Sequence, residues 1–196
     1  MLITGVSADD AEGDVADYYE SQRAQWGFLP HFTAPFSLRP AVAQAWQTLN
    51  LTIRGGMDRR RFEIATIAAA RARGSTYCTV AHSMFLRDVC GDPATLDAIN
   101  ACPDGSGLTG VDRAVYELAT RVATDPATIG EADVAPLREL GLSDADVVDV
   151  VLAAAARLFF TAVLDGVGAR LDAQTAARFG PEEVTAMTVG RPPTAP

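Results

Sequence analysis

The sequence predicts an all-α fold, and three observations carry that prediction. Apolar residues recur at helical spacing along most of the chain. No run alternates polar with apolar residues as a half-buried strand would. Hydrophobic residues fill 48% of the 196 positions while aromatics fill only 7%, so the core is expected to consist of Ala, Val and Leu, which let helices approach closely. The length suits one substantial core. Residues 1–180 are expected to form a single helical domain, and residues 181–196, ending in Arg191-Pro192-Pro193-Thr194-Ala195-Pro196, a poorly ordered tail.

The elements follow from their caps and breakers. Ser7-Ala8-Asp9-Asp10 reads as the cap of a first helix reaching about Gln25, followed by a Pro- and aromatic-rich connector from Trp26 to Pro35. A second helix spans roughly Leu38 to Ile53 and stops at Gly55-Gly56. Asp58 caps a third, Arg59 to Arg73, and Gly74 ends it in the position where a left-handed residue is favoured. Ser75 or Thr76 caps a fourth running to about Val89, closed by Gly91 and Pro93. A short helix from about Ala94 to Ala101 leads to the loop Pro103-Asp104-Gly105-Ser106-Gly107. Further helices start at Thr109-Gly110-Val111-Asp112 and at Glu131, ending near Ala123 and Leu140. Ser143-Asp144-Ala145-Asp146 then caps the longest apolar one, whose core, Val147 to Leu164, is interrupted by Asp149 and Arg157 and so reads as a core helix rather than a membrane span.

Composition removes several function classes. A net charge of −9 argues against nucleic acid or an anionic membrane as partner. All 16 Lys+Arg residues are arginine, which excludes Schiff-base chemistry, lysine-bound pyridoxal phosphate and a P-loop lysine. The first residues show neither a basic n-region nor a long apolar stretch, and three cysteines form an odd count, so reduced thiols in a cytoplasm are expected.

The chemistry concentrates in Glu63 and in Ser75-Thr76-Tyr77-Cys78-Thr79-Val80-Ala81-His82. Cys78 and His82 stand four residues apart, on one face of a helix and one turn from each other. Cys78, Ala81, His82, Phe85 and Val89 share a stripe expected to face the core. Backbone N–H groups in the first helical turn favour a thiolate at Cys78, and His82 can take its proton. If the third and fourth helices fold back at Gly74-Ser75, Glu63 lies about 16 Å down one and His82 about 12 Å down the other, close enough for a tilted crossing or a bridging water. Bland roles stand beside these. A buried cysteine serves as a small hydrophobe, a core histidine as a hydrogen-bonded filler, and Glu63 can pair with Arg59 one turn earlier. Tyr77 is either a relay hydroxyl or core filling. Cys90 is about 18 Å along the helix from Cys78, too far for a disulfide; Cys102, past a loop, is a weaker resolving candidate. A zinc site from Cys78, His82 and Glu63 is chemically conceivable but short of a fourth ligand, so no metal and no cofactor is expected. His31 is read as a turn residue at a pocket rim or an interface.

At these residues the chain resembles the carboxymuconolactone decarboxylase and alkylhydroperoxidase D family, whose motif is Glu-x11-Cys-x2-Cys-x3-His. Here it appears as Glu63, Ser75, Cys78 and His82, with every spacing kept and the first cysteine replaced by serine. Tyr18-Tyr19-Glu20 through Gly27-Phe28-Leu29-Pro30, Leu38-Arg39-Pro40, and Leu140-Gly141-Leu142-Ser143-Asp144 are similar to the longer, peroxidase-related members. The resemblance implies an all-α, alkylhydroperoxidase D-like helical bundle assembled as a homo-oligomer, from dimer to trimer or hexamer. It also implies a peroxide-attacking thiolate at Cys78, a proton relay of Glu63 and His82, and an external thiol as reductant, since Ser75 cannot close a disulfide. Ser75 would instead donate a hydrogen bond to the sulfur. Two other functions stay open. One is a lyase or isomerase using His82 and Glu63 on a small organic acid, as in the decarboxylase branch; the other is a non-catalytic binding protein. A stretch like Asn-Phe-x-x-Asn-Arg, common near the end of the long helix in longer members, is here the more apolar Arg157-Leu158-Phe159-Phe160-Thr161-Ala162.

Overall fold

The computed structural model describes residues 1–193, and among them eleven α-helices and one 3-10 turn occur, with no strand. The helices are α1 (Gly13–Trp26), α2 (Thr33–Ser37), α3 (Pro40–Gly56), α4 (Arg59–Ala72), α5 (Thr76–Asp88), α6 (Pro93–Ala101), α7 (Gly110–Thr124), α8 (Glu131–Glu139), α9 (Asp144–Gly166), α10 (Ala173–Ala176) and α11 (Pro181–Met187). The expected all-α fold is therefore the fold observed.

The bundle is organised around α4. Every residue from Phe62 to Ala70 is buried, because α7, α5 and α9 cover it on separate sides. Ala65, Ala68, Ala69 and Ala70 present so little side chain that three helices can pack closely against one axis. Phe62, Ile64 and Ile67 fill the remaining gaps, at about 1.5–3 kcal/mol of burial each. Asp58 caps this helix as expected, its Oδ1 accepting from Arg61 N–H at 2.9 Å.

What positions the site is the turn after α4. Gly74 has φ +67°, Ser75 N–H donates to Ala70 O at 2.9 Å and Gly74 N–H to Arg71 O at 3.0 Å. That pair of bonds is the Schellman arrangement, which stops one helix and reverses the chain into the next. The α4–α5 hairpin follows directly.

The expected tail is corrected. Pro181–Met187 is helical, with Met187 fully buried, and Gly190 N–H donates to Thr76 Oγ1 at 3.0 Å. A Cβ at Gly190 would stand 1.8 Å from Gly74 O, so only glycine lets the chain cross the hairpin turn so closely. Residues 194–196 of the expected tail lie outside the described residues. At the other end, Ser7 to Asp10 form a side-chain-bonded turn, Asp10 N–H donating to Ser7 Oγ at 3.1 Å, and the helix begins only at Gly13. The connector after it holds the short helix α2. Val89, expected on the core-facing stripe of α5, is 60% exposed, because the helix ends at Asp88.

α9 is long and apolar enough to cross a membrane, yet half of its apolar window is buried inside the fold, against α3, α4 and α7. Its remaining apolar face, with Leu152 and Phe159, borders Val42 and Leu49 of α3 across an exposed groove.

Candidate active site

Four side chains from three helices meet in one cavity: Glu63 from α4, Cys78 and His82 from α5, and Arg157 from α9. The cavity measures about 90 Å³. Its walls run outward to exposed Gln25 and Leu51, so the buried end communicates with the surface.

Glu63 is completely buried and divides its two oxygens between the partners that the sequence offered as alternatives. Oε1 accepts from Arg59 Nε at 2.6 Å, and Oε2 lies 2.5 Å from His82 Nδ1. The hairpin is tight enough for a direct contact. Burial, reinforced by the charge on Arg157, pushes His82 down to about 4 against the opposing pull of Glu63. The imidazole is then neutral near pH 7. With Nδ1–H donated to the carboxylate, Nε2 carries the lone pair and can accept a proton.

Cys78 is 1% exposed, the third residue of α5. The thiolate expected from the helix start is corrected in one respect. Burial is the largest influence and pushes the thiol up, while the Arg157 charge, its hydrogen bond and one from Ser75 pull it back. The resting form at neutral pH is the protonated thiol, with the means of ionising it alongside. Ser75 occupies the N-cap position without capping. Its buried hydroxyl meets no partner in good hydrogen-bonding geometry among the described residues. It is nevertheless near enough to the sulfur and to Asp165 to favour the charged form of each.

Arg157 is a cavity residue beside the sulfur that the sequence marks only as an interruption in an apolar helix. It is 3% exposed; its Nη1 approaches Cys78 Sγ at 3.8 Å, and its Nε meets no acceptor among the described residues. The guanidinium lies 5.4 Å from the Phe160 ring centre and 5.9 Å from that of Trp46, whose planes are 13° apart. A lone arginine in the most apolar helix was the available signal, because a buried charge requires a reason.

Tyr77 points away from the relay. Its hydroxyl donates to Asp172, which also accepts His31 N–H at 2.7 Å and stands 3.3 Å from His31 Nδ1. Burial raises the phenol well above its ordinary range and raises the Asp172 carboxyl too. Tyr77 thus ties α5 to the segment before α10, and exposed His31 sits at the outer end of that tie. Cys90 and Cys102 are free thiols that do not line the cavity. No group of three or more His, Cys, Asp or Glu side chains placed to hold a metal ion occurs among the described residues.

The model of the carboxymuconolactone decarboxylase family matches residues 40–101, the span from α3 to α6 that holds Glu63, Cys78 and His82. No curated protein matches the chain. The fold is similar to that of the alkylhydroperoxidase AhpD core, an uncharacterized peroxidase-related protein from Ralstonia eutropha JMP134, with a TM-score of 0.79 and 21% identity over 89% of this chain and 93% of that one. An uncharacterized peroxidase-related protein from Silicibacter sp. TM1040 follows at 0.73 and 18%, over 89% and 91%. The debrominase Bmp8 superposes at 0.71 and 17% identity, over 95% and 98%, and a cysteine-to-alanine variant of it is known in complex with 2,3,4-tribromopyrrole. At such identities the likeness speaks for the fold. The resemblance to the carboxymuconolactone decarboxylase and AhpD-like family, read first from the spaced motif, is borne out.

Proposed function

We propose that the protein is a single-cysteine thiol peroxidase that reduces small hydroperoxides at Cys78. The observation that carries this reading is the buried guanidinium of Arg157, whose one hydrogen-bonding partner among the described residues is the Cys78 sulfur. A buried cation without a counter-charge is costly, and ionising the thiol supplies one. A wall cysteine has no use for such a neighbour.

The chemistry uses the groups in place. His82 Nε2 takes the thiol proton, and Glu63, steadied by Arg59, holds the ring as it becomes charged. The thiolate attacks the outer oxygen of ROOH, the O–O bond breaks, and the alkoxide leaves with the proton returned by His82 as ROH. Cys78 is left as a sulfenic acid. The Nε–H of Arg157, unmatched among the described residues, is available to the developing oxyanion. One external thiol condenses with the sulfenic acid and releases water, and a second releases the disulfide and restores Cys78. The sum is ROOH + 2 R′SH → ROH + H2O + R′SSR′. Ser75 leaves no partner within α5 for an internal disulfide, so both reducing thiols come from outside.

The debrominase fold suggests a second electrophile for the same thiolate, the halogen of a small organic bromide. The lyase reading relies instead on His82 and Glu63 alone. As partner protein we carry forward a second copy of this chain, seated on the uncharged groove between α3 and α9, which light scattering tests. For the reaction, the test is hydroperoxide consumption with a dithiol reductant by wild type, Cys78→Ala and Ser75→Cys. Loss of turnover in Cys78→Ala, and slower inactivation by overoxidation at limiting dithiol in Ser75→Cys, are the expected results. Turnover of a small acid that survives Cys78→Ala and vanishes in His82→Ala sinks the thiol mechanism.

A further inference from the structure

The cavity around Cys78 carries the wrong charge for its protein. The chain as a whole has a net charge of −9, yet the cavity walls hold three arginines, Arg54, Arg59 and Arg157, against the single carboxylate of Glu63. That carboxylate is already divided between Arg59 and His82. Arg157 keeps an unmatched Nε at the buried end. Arg54, half-buried in the last turn of α3, forms no ion pair or hydrogen bond among the described residues. Burial foremost, and then the neighbouring Arg59, disfavour its charge, and the Glu63 carboxylate, already shared by Arg59 and His82, offsets only part of that. A cation in a last helical turn is favoured by the helix dipole, but that accounts for its place in α3 and not for its position on the wall of a cavity with two other arginines. Asn50, one turn earlier on the same face, lines the cavity as well, with its side-chain oxygen unpartnered. In a protein with 25 acidic residues, an acidic partner for Arg54 was cheap to supply.

We infer that the cavity is an anion-recognition site, in which Arg54 holds the carboxylate of a small organic acid while the rest of the molecule reaches inward to Cys78 and Arg157. The inference rests on the reading of this cavity as the functional site, and it makes the preferred hydroperoxide one that carries a carboxylate. Arg54 is then a specificity-determining residue that takes no part in the redox step. The small interior, about 90 Å³, limits the inward portion to a few heavy atoms, well below the roughly 150 Å³ of an engineered cavity that admits benzene.

Both tryptophans of the chain, Trp26 and Trp46, line this cavity, so intrinsic fluorescence reports on it directly. Butyrate and 1-butanol are titrated as a matched charged and neutral pair. Butyrate is expected to bind at least ~10-fold tighter, Arg54→Gln to remove most of that preference, and Arg54→Lys to restore it. Arg113→Gln, which breaks an exposed pair with Glu117 far from the cavity, leaves the preference intact. In the wild type itself, raising NaCl from about 20 mM to about 500 mM weakens butyrate and not butanol, a measurement independent of how the variants fold. Equal affinities for the two probes, or a butyrate preference indifferent to both salt and Arg54→Gln, overturns the inference. The two readings fail separately. Selective butyrate binding without hydroperoxide consumption leaves the anion site standing and removes the peroxidase. Hydroperoxide consumption without butyrate preference does the reverse.

Discussion

Arg60 and Arg157 sit on two helices of the same core and lead opposite lives. Arg60, on α4, is tied to Asp92 through Nε, to both Asp112 oxygens at 2.5 and 2.6 Å, and to Thr95 Oγ1 at 2.7 Å. Those bonds join α4 to the start of α6 and to α7, and they push the guanidinium above its ordinary range, the bond to Asp112 foremost. Arg157, far more deeply buried, has one long contact to a sulfur and an unmatched nitrogen. A satisfied charge network holds helices together; an unsatisfied one is kept for what it does to its neighbours. The same α4–α9 core therefore contains a clamp and a site, distinguishable by counting partners.

Four measurements break or sharpen that contrast. The largest effect is on turnover. Cys78→Ala is expected to lower hydroperoxide consumption by at least ~10³-fold with an unchanged helical spectrum, because the nucleophile itself is gone. Residual peroxidase activity of the variant would place the reaction elsewhere.

Next comes acid. His82 titrates near 6.5 when unfolded and near 4 in the fold, so its neutral form is the one the fold favours. The corresponding stability, on the order of a few kcal/mol, is present above about pH 6.5 and is lost as pH falls toward 4. Chemical denaturation at pH 7 and pH 4.5 checks it, and His82→Asn is expected to flatten the difference.

Arg157→Met follows, with opposite signs in two assays. Without the guanidinium the thiol rises further, and alkylation of Cys78 at pH 7 slows ~10²-fold. Stability holds or gains about 1 kcal/mol, since an unmatched buried charge has been removed. A large loss of stability would class Arg157 with Arg60 and remove the basis for the mechanism. The smallest effect is that of Arg60→Met, which is expected to cost about 2 kcal/mol because its network is partly open to solvent, while turnover per folded molecule is unaffected.

Much of the site is legible in the residue spacing. Glu63, Cys78 and His82 keep spacings of 15 and 4 residues, and they come together because one local device, the Gly74 reversal, brings α4 and α5 face to face. The pairing of Glu63 with Arg59, a rival to the His82 contact on sequence grounds, coexists with it in the fold, because a carboxylate has two oxygens. The segment after Gly180 is less legible, since its Pro-rich composition argues for disorder while the burial of Met187 and the glycine contact at the hairpin turn hold it in place.

By itself, then, the sequence determined the helices, the hairpin and the three motif residues, because caps, breakers and the 3.6-residue repeat act within a turn or two of the chain. Only the tertiary structure decided which charge faces the sulfur, 79 residues away along the chain, and how strongly the thiol is desolvated. Burial and electrostatics depend on everything packed within a few ångströms, and no local pattern records what α9 lays against α5.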